Sequence, residues 1–252
     1  MEKKTTNAFG QPLSYRVDNW TPPPRPSREP IVGRTCRVEP LDVDQHADDL
    51  FAVDSLDRDG VSWTYLPYGP FKTFDSYIDW MKGAVDKDDP FFHAIVDGAT
   101  GTAVGVASYL RIDPAAGSIE IGHIHYSPRL QRTIAATEAM YLMMQRAFTL
   151  GYRRYEWKCD ALNAPSRAAA RRLGFSYEGV FRQARVVKGH NRDTAWYACI
   201  DREWPALDRA FCAWLDPANF DADGRQRTKL SALTAPIVVS QSAGPCPPDA
   251  RG

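Results

Sequence analysis

The chain has 252 residues, 44% of them apolar and 25% charged, which suits one large folded domain with appendages. Lys plus Arg equals Asp plus Glu at 31 each, so no net field draws nucleic acid or anionic lipid over long range, and any anion site must be local. The five cysteines are odd in number, widely spread and without a C-x-x-C pair, which argues against zinc and for reduced thiols in a cytoplasmic setting.

Residues 1–32 carry WTPPPRPSREP (20–30), whose prolines forbid helix and predict an extended arm that lies on the body or trails from it. The N-terminal stretch has no apolar signal core and no run of 18 apolar residues occurs anywhere, so neither secretion nor membrane insertion is expected. The folded body is predicted over 33–220. TCRVEPL (35–41) alternates as a strand, and DVDQHADDLFAVDS (42–55) and TFDSYIDWMKGAV (73–85) read as capped helices. The runs 91–97, 101–112 and 118–127, parted by DGATG and DPAAG, predict an antiparallel meander. A helix over 134–150, a strand over 152–162 and a short helix over 164–173 closed by Gly174 follow. Two last strands, within 175–189 and 193–204, are expected to join at HNR. From 221 to 252 the chain turns low in aromatics and rich in Gly, Pro and Ser, the composition of a disordered tail. The expected fold class is α/β: a mixed, mostly antiparallel sheet of about seven strands with flanking helices and one parallel helical crossover.

Several residues stand out chemically. Arg129, Gln131, Arg132, Thr133 and Thr137 crowd the start of the helix that opens Ile134-Ala135-Ala136. Cations there oppose the positive end of the helix dipole unless an anion lies between them. Asn163 is placed to cap the next helix, with Pro165 in its first turn. Glu120 sits on the strand SIEIGHIHYS, as a cross-strand partner or as a proton acceptor. His123 and His125 share strand spacing and read as packed histidines or a base; no third ligand accompanies them, so no metal is expected. Cys159 reads as a small buried hydrophobe rather than a nucleophile. Trp63, Tyr65 and Tyr68, in WTYLPYGPF, are core or pocket lining. The basic RRLGF and KGHNR segments raise RNA binding, which the neutral charge and the missing stacking motif oppose.

This order of elements, the basic turn before the central helix and NAPSRAAARRLGF after the next strand resemble the GCN5-related N-acetyltransferase (GNAT) superfamily over about 34–203. The pairing of IGHIHYSPRLQRTIAATEA with NAPSRAAARRLGF, and the GxxxDTAWY hairpin, look most like the branch that acetylates N-termini of ribosomal proteins. The resemblance implies a GNAT fold, acetyl-CoA as co-substrate and direct attack by a primary amine, either a small molecule or a protein N-terminus. Neutral charge, the lack of an apolar run and the missing third ligand are the grounds for expecting no nucleic acid, no membrane and no metal, and the oligomeric state stays open. By that likeness Tyr126, Arg129, Gln131, Arg132, Thr133, Ile134, Ala135, Ala136 and Thr137 hold the cofactor around its pyrophosphate, and Asn163 touches the pantetheine arm. Ser166 would protonate the departing thiolate, Glu120 would take the amine's proton, and Trp63, Tyr65 and Tyr68 would line the acceptor pocket. The strands over 119–126 and 154–161 must part to admit the acyl arm. The family turn carries glycines where this chain has none, so a non-catalytic acyl-CoA-binding or interaction module stands as the alternative.

Overall fold

The computed structural model describes residues 5–241. After a short pairing of β1 (Thr5–Thr6) with β2 (Pro12–Leu13), the arm runs to β3 (Ile31–Val32) and β4 (Cys36–Pro40). Helices α1 (Val43–Asp54) and α2 (Phe74–Val85) follow, with a 3₁₀ turn at Val61–Trp63 between them. The meander is β5 (Phe91–Asp97), β6 (Ala103–Asp113) and β7 (Ser118–Tyr126). Then come α3 (Ile134–Thr149), β8 (Arg154–Asp160), α4 (Ala164–Arg172), β9 (Ser176–Val187), β10 (His190–Ile200), α5 (Trp204–Leu215) and α6 (Leu230–Thr234). Eight strands form one sheet in the order β3-β4-β5-β6-β7-β8-β10-β9. All its neighbours are antiparallel except β7 and β8, which are parallel because the α3 crossover returns the chain to the same end.

The sheet is covered on both faces. Along β5, Phe91 and Ile95 join the core under α3, α4 and α5, while Phe92, Ala94 and Val96 join the core under α1 and α2. That period-two partition explains why β5 is buried along six consecutive residues, Phe91 to Val96, with His93 among them. Helix starts are fixed by side chains: Asp42 accepts from Gln45 N–H, Thr73 and Ser76 form a capping box, Thr133 accepts from Ala136 N–H and Asn163 from Ser166 N–H. Gly174 ends α4 at φ +91°, where a Cβ would meet Leu207 at 2.3 Å.

Four expectations change. The sheet has an eighth strand, because Ile31 pairs with Val38 and Val32 with Arg37 beyond the predicted edge. The last hairpin turns at Lys188-Gly189, both with positive φ, rather than at HNR, which instead begins β10. Residues 204–215 form a helix where the sequence pattern shows only the end of a strand-like run at 204. The tail is ordered as far as residue 241: Leu230 is 1% exposed, Asn219 bonds Thr228 in both directions, and Tyr177 N–H donates to Ser240 O at 3.1 Å. The remainder of the predicted disordered tail lies outside the described residues. The proline-rich arm lies on the body, Trp20 Nε1 donating to Ala115 O and Arg146 to the carbonyls of Glu29 and Pro30.

Candidate active site

Pairing between β7 and β8 runs from Ser118↔Arg154 to Ile121↔Trp157 and stops there. On the other edge of β7, Val106 pairs with His125 but Ser108 with Gly122, so β7 bulges at His123, whose φ is +48°. The bulge carries β7 away from β8 at the expected place. A cavity of about 300 Å³ lies at the parting, and Glu120, Tyr65, Asn163 and Ser166 all line it.

At the start of α3, Ser127 O accepts from the N–H groups of Leu130 and Gln131, and Arg132 takes φ +63° before the Thr133 cap. Arg129, Gln131 and Arg132 are exposed, Thr133 and Ile134 half-buried, and Ala135, Ala136 and Thr137 buried. The Thr133 hydroxyl serves Ala136, and helix geometry leaves the N–H groups of Ile134 and Ala135 without intrahelical acceptors. Those groups and the two arginines suit an anionic group such as a pyrophosphate. Three side chains differ from expectation. The Gln131 amide is spent on Tyr126 O, the Tyr126 hydroxyl donates to Ala136 O, and the buried Thr137 hydroxyl accepts from Arg172 at 3.1 Å. Arg172, on α4, is a third cation at this helix start; no ion-pair partner faces it among the described residues, and burial lowers its pKa. Within the RRLGF segment nothing in the sequence shows that Arg172 turns towards the start of α3.

Glu120 is 3% exposed and carries two ion pairs, Oε1 with Arg111 at 2.5 Å and Oε2 with Lys158 at 2.8 Å. Lys158 also bonds Glu156 at 2.6 Å and lies 3.7 Å over the Trp196 ring. Oε1 accepts a hydrogen bond from Arg111 and Oε2 is held by the charge of Lys158 without an aligned hydrogen bond, so both oxygens face cations, which counts against Glu120 as a proton acceptor. Ser166 Oγ accepts from Trp157 Nε1 at 3.0 Å, and its own proton can be donated either to the Cys159 sulfur or into the cavity. Burial raises the Cys159 pKa, with the Ser166 hydroxyl pulling weakly the other way, so the thiol stays protonated.

Tyr65 lines the cavity and its hydroxyl donates to Leu162 O, while Trp63 and Tyr68 stand behind the wall. Trp63 is 3% exposed and stacks on His125 at 3.6 Å between centroids. Tyr68 stacks on His123 and shares a 3.1 Å hydrogen bond with its Nδ1. Burial lowers both histidines to a pKa of about 4, so they are neutral at pH 7. A chain of polar groups that the reading missed reaches the cavity at Ser62. Its Oγ donates to Asp57 at 2.6 Å and lies 2.8 Å from His125 Nε2, and His125 Nδ1 lies 3.4 Å from Asp54 Oδ1. Burial raises Asp54 to about 7, against a bond from Tyr77. Among the described residues, no group of three His, Cys, Asp or Glu side chains could hold a metal.

A sheet parted at its one parallel pair, beside a crossover helix with a cationic start, is the architecture of the GNAT fold. Residues 37–176 match the acetyltransferase (GNAT) domain family, and the chain belongs to that family. It is 48% identical to a GCN5-related N-acetyltransferase from Brucella melitensis, over 87% of this chain and 100% of that one, with a TM-score of 0.85. A GNAT-family protein from Chromobacterium violaceum is 41% identical over 77% of this chain and 98% of its own, with a TM-score of 0.73. The fold is shared with RimL, a ribosomal L7/L12 alpha-N-protein acetyltransferase, at 22% identity over 68% of this chain and 94% of that one, with a TM-score of 0.59. Comparison with curated proteins gives no match. No helix among the described residues is long and apolar enough to cross a membrane.

Proposed function

We propose that the protein transfers the acetyl group of acetyl-CoA to a primary amine by direct attack, with the helix start of α3 holding the pyrophosphate. The observation that carries this reading is the parting of β7 and β8 over a cavity with Ser166 on one side and polar groups on the other. Arg129, Arg132 and Arg172 supply positive charge around the N–H groups of α3 that lack intrahelical acceptors, and Asn163 lies where the pantetheine arm would pass. The glycine-free turn keeps a left-handed residue, Arg132, so its geometry suits the same ligand.

In the reaction the amine nitrogen bonds to the carbonyl carbon, the C–S bond breaks and the nitrogen loses a proton. Backbone N–H groups of β7 beyond the bulge, around Ile124, are placed to hold the oxyanion. Ser166 donates a proton to the thiolate, and is reprotonated from solvent. Glu120 holds Lys158 and Arg111 in place across the parted strands. The amine's proton passes to Ser62 Oγ as Ser62 gives its own to Asp57, which is partly exposed and exchanges with water.

The test is release of free CoA thiol, followed with a thiol reagent, across a panel of small amines and peptides. Calorimetry with acetyl-CoA runs alongside. Amine-dependent thiol release is expected. Tight binding without turnover on any amine would instead mark a non-catalytic acyl-CoA-binding module, and absence of binding would overturn both readings.

A further inference from the structure

Among the described residues, the acceptor side of the cavity holds more unpartnered donors than acceptors: Glu120 Oε2, which faces Lys158 by charge alone, is its one buried acceptor-only atom without a hydrogen bond. Glu120 pairs with Glu156 in register, Lys158 with Trp196 and Asp160 with Thr194, so these side chains share one face of the sheet. Trp157 and Cys159 point to the other face, towards Ser166. Three alternate residues of β10, Arg192, Thr194 and Trp196, line the cavity, and each keeps a buried polar atom without a hydrogen-bond partner: Arg192 Nε, Thr194 Oγ1 and Trp196 Nε1. Thr194 is only 6% exposed. Orphaned donors at this depth are costly in a folded protein unless something else satisfies them.

Arg192 also lies directly across the hairpin from Arg185, which lines the same cavity. Like charges in that position repel, and neither arginine has an ion-pair partner among the described residues. The other cations of the wall, Arg111 and Lys158, are taken by Glu120. Asp160 is the remaining acid of the lining, and its Oδ1 accepts from Leu162 N–H at 2.8 Å. An amine carrying nothing but its own positive charge would be repelled by such a wall.

We propose that the β10 face of the cavity is an anion subsite that anchors the acceptor by a carboxylate or phosphate group, so that the amine substrate is negatively charged at its far end. This rests on the transferase reading above for the amine, though not for the anion. Guanidinium and indole N–H groups donate and never accept, and paired arginines match the geometry of an oxyanion. The cavity volume, about 300 Å³, suits a small molecule. The hairpin tip is pinned over the 61–70 loop by Lys188, whose Nζ donates to Trp63 O at 2.9 Å and Gly69 O at 2.8 Å. Once anchored, the amine would sit near Lys158 and the arginines, whose charge favours its neutral, attacking form.

The experiment compares ethanolamine, β-alanine and O-phosphoethanolamine as acceptors with acetyl-CoA, in the full-length wild type and in Arg185→Met and Arg192→Met. Binding of each amine is followed by calorimetry in parallel. The wild type is expected to favour at least one anionic amine over ethanolamine by about 30-fold or more in kcat/KM. Either substitution should cut that ratio by about 10-fold, as expected for one lost charge-assisted contact. Which anionic amine leads distinguishes carboxylate from phosphate. Arg185 is exposed, so its variant keeps the test valid if Arg192→Met fails to fold. A wild-type ratio within about 3-fold of one, or a preference that survives Arg185→Met, overturns the proposal. If no amine is acetylated, arginine-dependent binding of the anionic amines upholds the subsite and sinks the transferase reading, whereas absence of that binding sinks the subsite.

Discussion

Replacing Glu120 by Gln separates a structural role from a chemical one. The substitution keeps the shape and removes the anion between Lys158, whose side chain is 7% exposed, and Arg111, whose side chain is 39% exposed. Breaking a fully buried ion pair costs about 3–5 kcal/mol because a charge is left uncompensated. Here Lys158 keeps Glu156 at 2.6 Å and the Trp196 ring, and Arg111 can turn to solvent, so the expected loss is about 2 kcal/mol. For a chain of this size that lowers Tm by about 4–8 °C. Thermal unfolding followed by circular dichroism reads it, together with Lys158→Met and the double variant. The cycle should return at least about 1 kcal/mol of coupling. An unchanged Tm, or strict additivity, would refute the argument. Kinetics then test the other half. If Glu120 took the amine's proton, kcat would fall roughly 10² to 10⁴-fold and the low-pH limb of the profile would shift. The proposed route puts that shift in Ser62→Ala instead.

Reversing charge at Arg129 and Arg132 together should weaken acetyl-CoA binding by more than about 2 kcal/mol, roughly 30-fold, measured by calorimetry; unchanged affinity would remove the pyrophosphate assignment. Ending the chain at residue 223 should lower Tm by more than about 5 °C, since a buried Leu230 alone accounts for about 1.5–3 kcal/mol. A truncated chain that melts like the full one would show that the ordered tail contributes nothing. Stability should fall on acidification from pH 6.5 towards 4. His93, His123 and His125 are lowered by burial from 6.5 to about 3, 4 and 4, so in that window the unfolded chain binds protons that the folded one refuses. Asp54, raised from 3.8 to about 7, and Glu203, raised by burial, act oppositely, their folded forms gaining a proton first as pH drops, but they are two groups against three. Urea midpoints at pH 7 and 5 check the sign, and a higher midpoint at pH 5 would refute it.

The fold was legible wherever a period and a stop signal coincided. The caps at Asp42, Thr73 and Asn163 and the stop at Gly174 each marked an end that the structure keeps. The hairpin turn was misplaced because Lys188 takes φ +49°, a conformation a lysine signals poorly beside the polar HNR that follows. The helix Trp204–Leu215 did leave a signal, Pro205 in its first turn with Leu207, Ala210, Phe211 and Trp214 on one stripe, which went unread behind a strand-like run. The tail misled by composition: a few residues, Leu230 and Thr234 foremost, bury themselves and order their polar neighbours.

The site was legible by element and not by partner. The sequence shows Glu120 on the strand SIEIGHIHYS, but nothing in it shows that Lys158, 38 positions on and in a different strand, lies opposite it. The same limit hid Arg192 and Arg185, because their juxtaposition depends on a hairpin register that a two-residue error in the turn would undo. The α3 turn shows the converse. Its missing glycines suggested lost function, yet the backbone keeps a left-handed residue at Arg132, held by the Thr133 cap and by the Gln131 bond to Tyr126 O. A non-glycine residue there costs about 1–2 kcal/mol, which local hydrogen bonds offset while the side chain adds a cation to the helix start. The glycine pattern and the turn shape are therefore separable properties, and the pyrophosphate proposal rests on the shape.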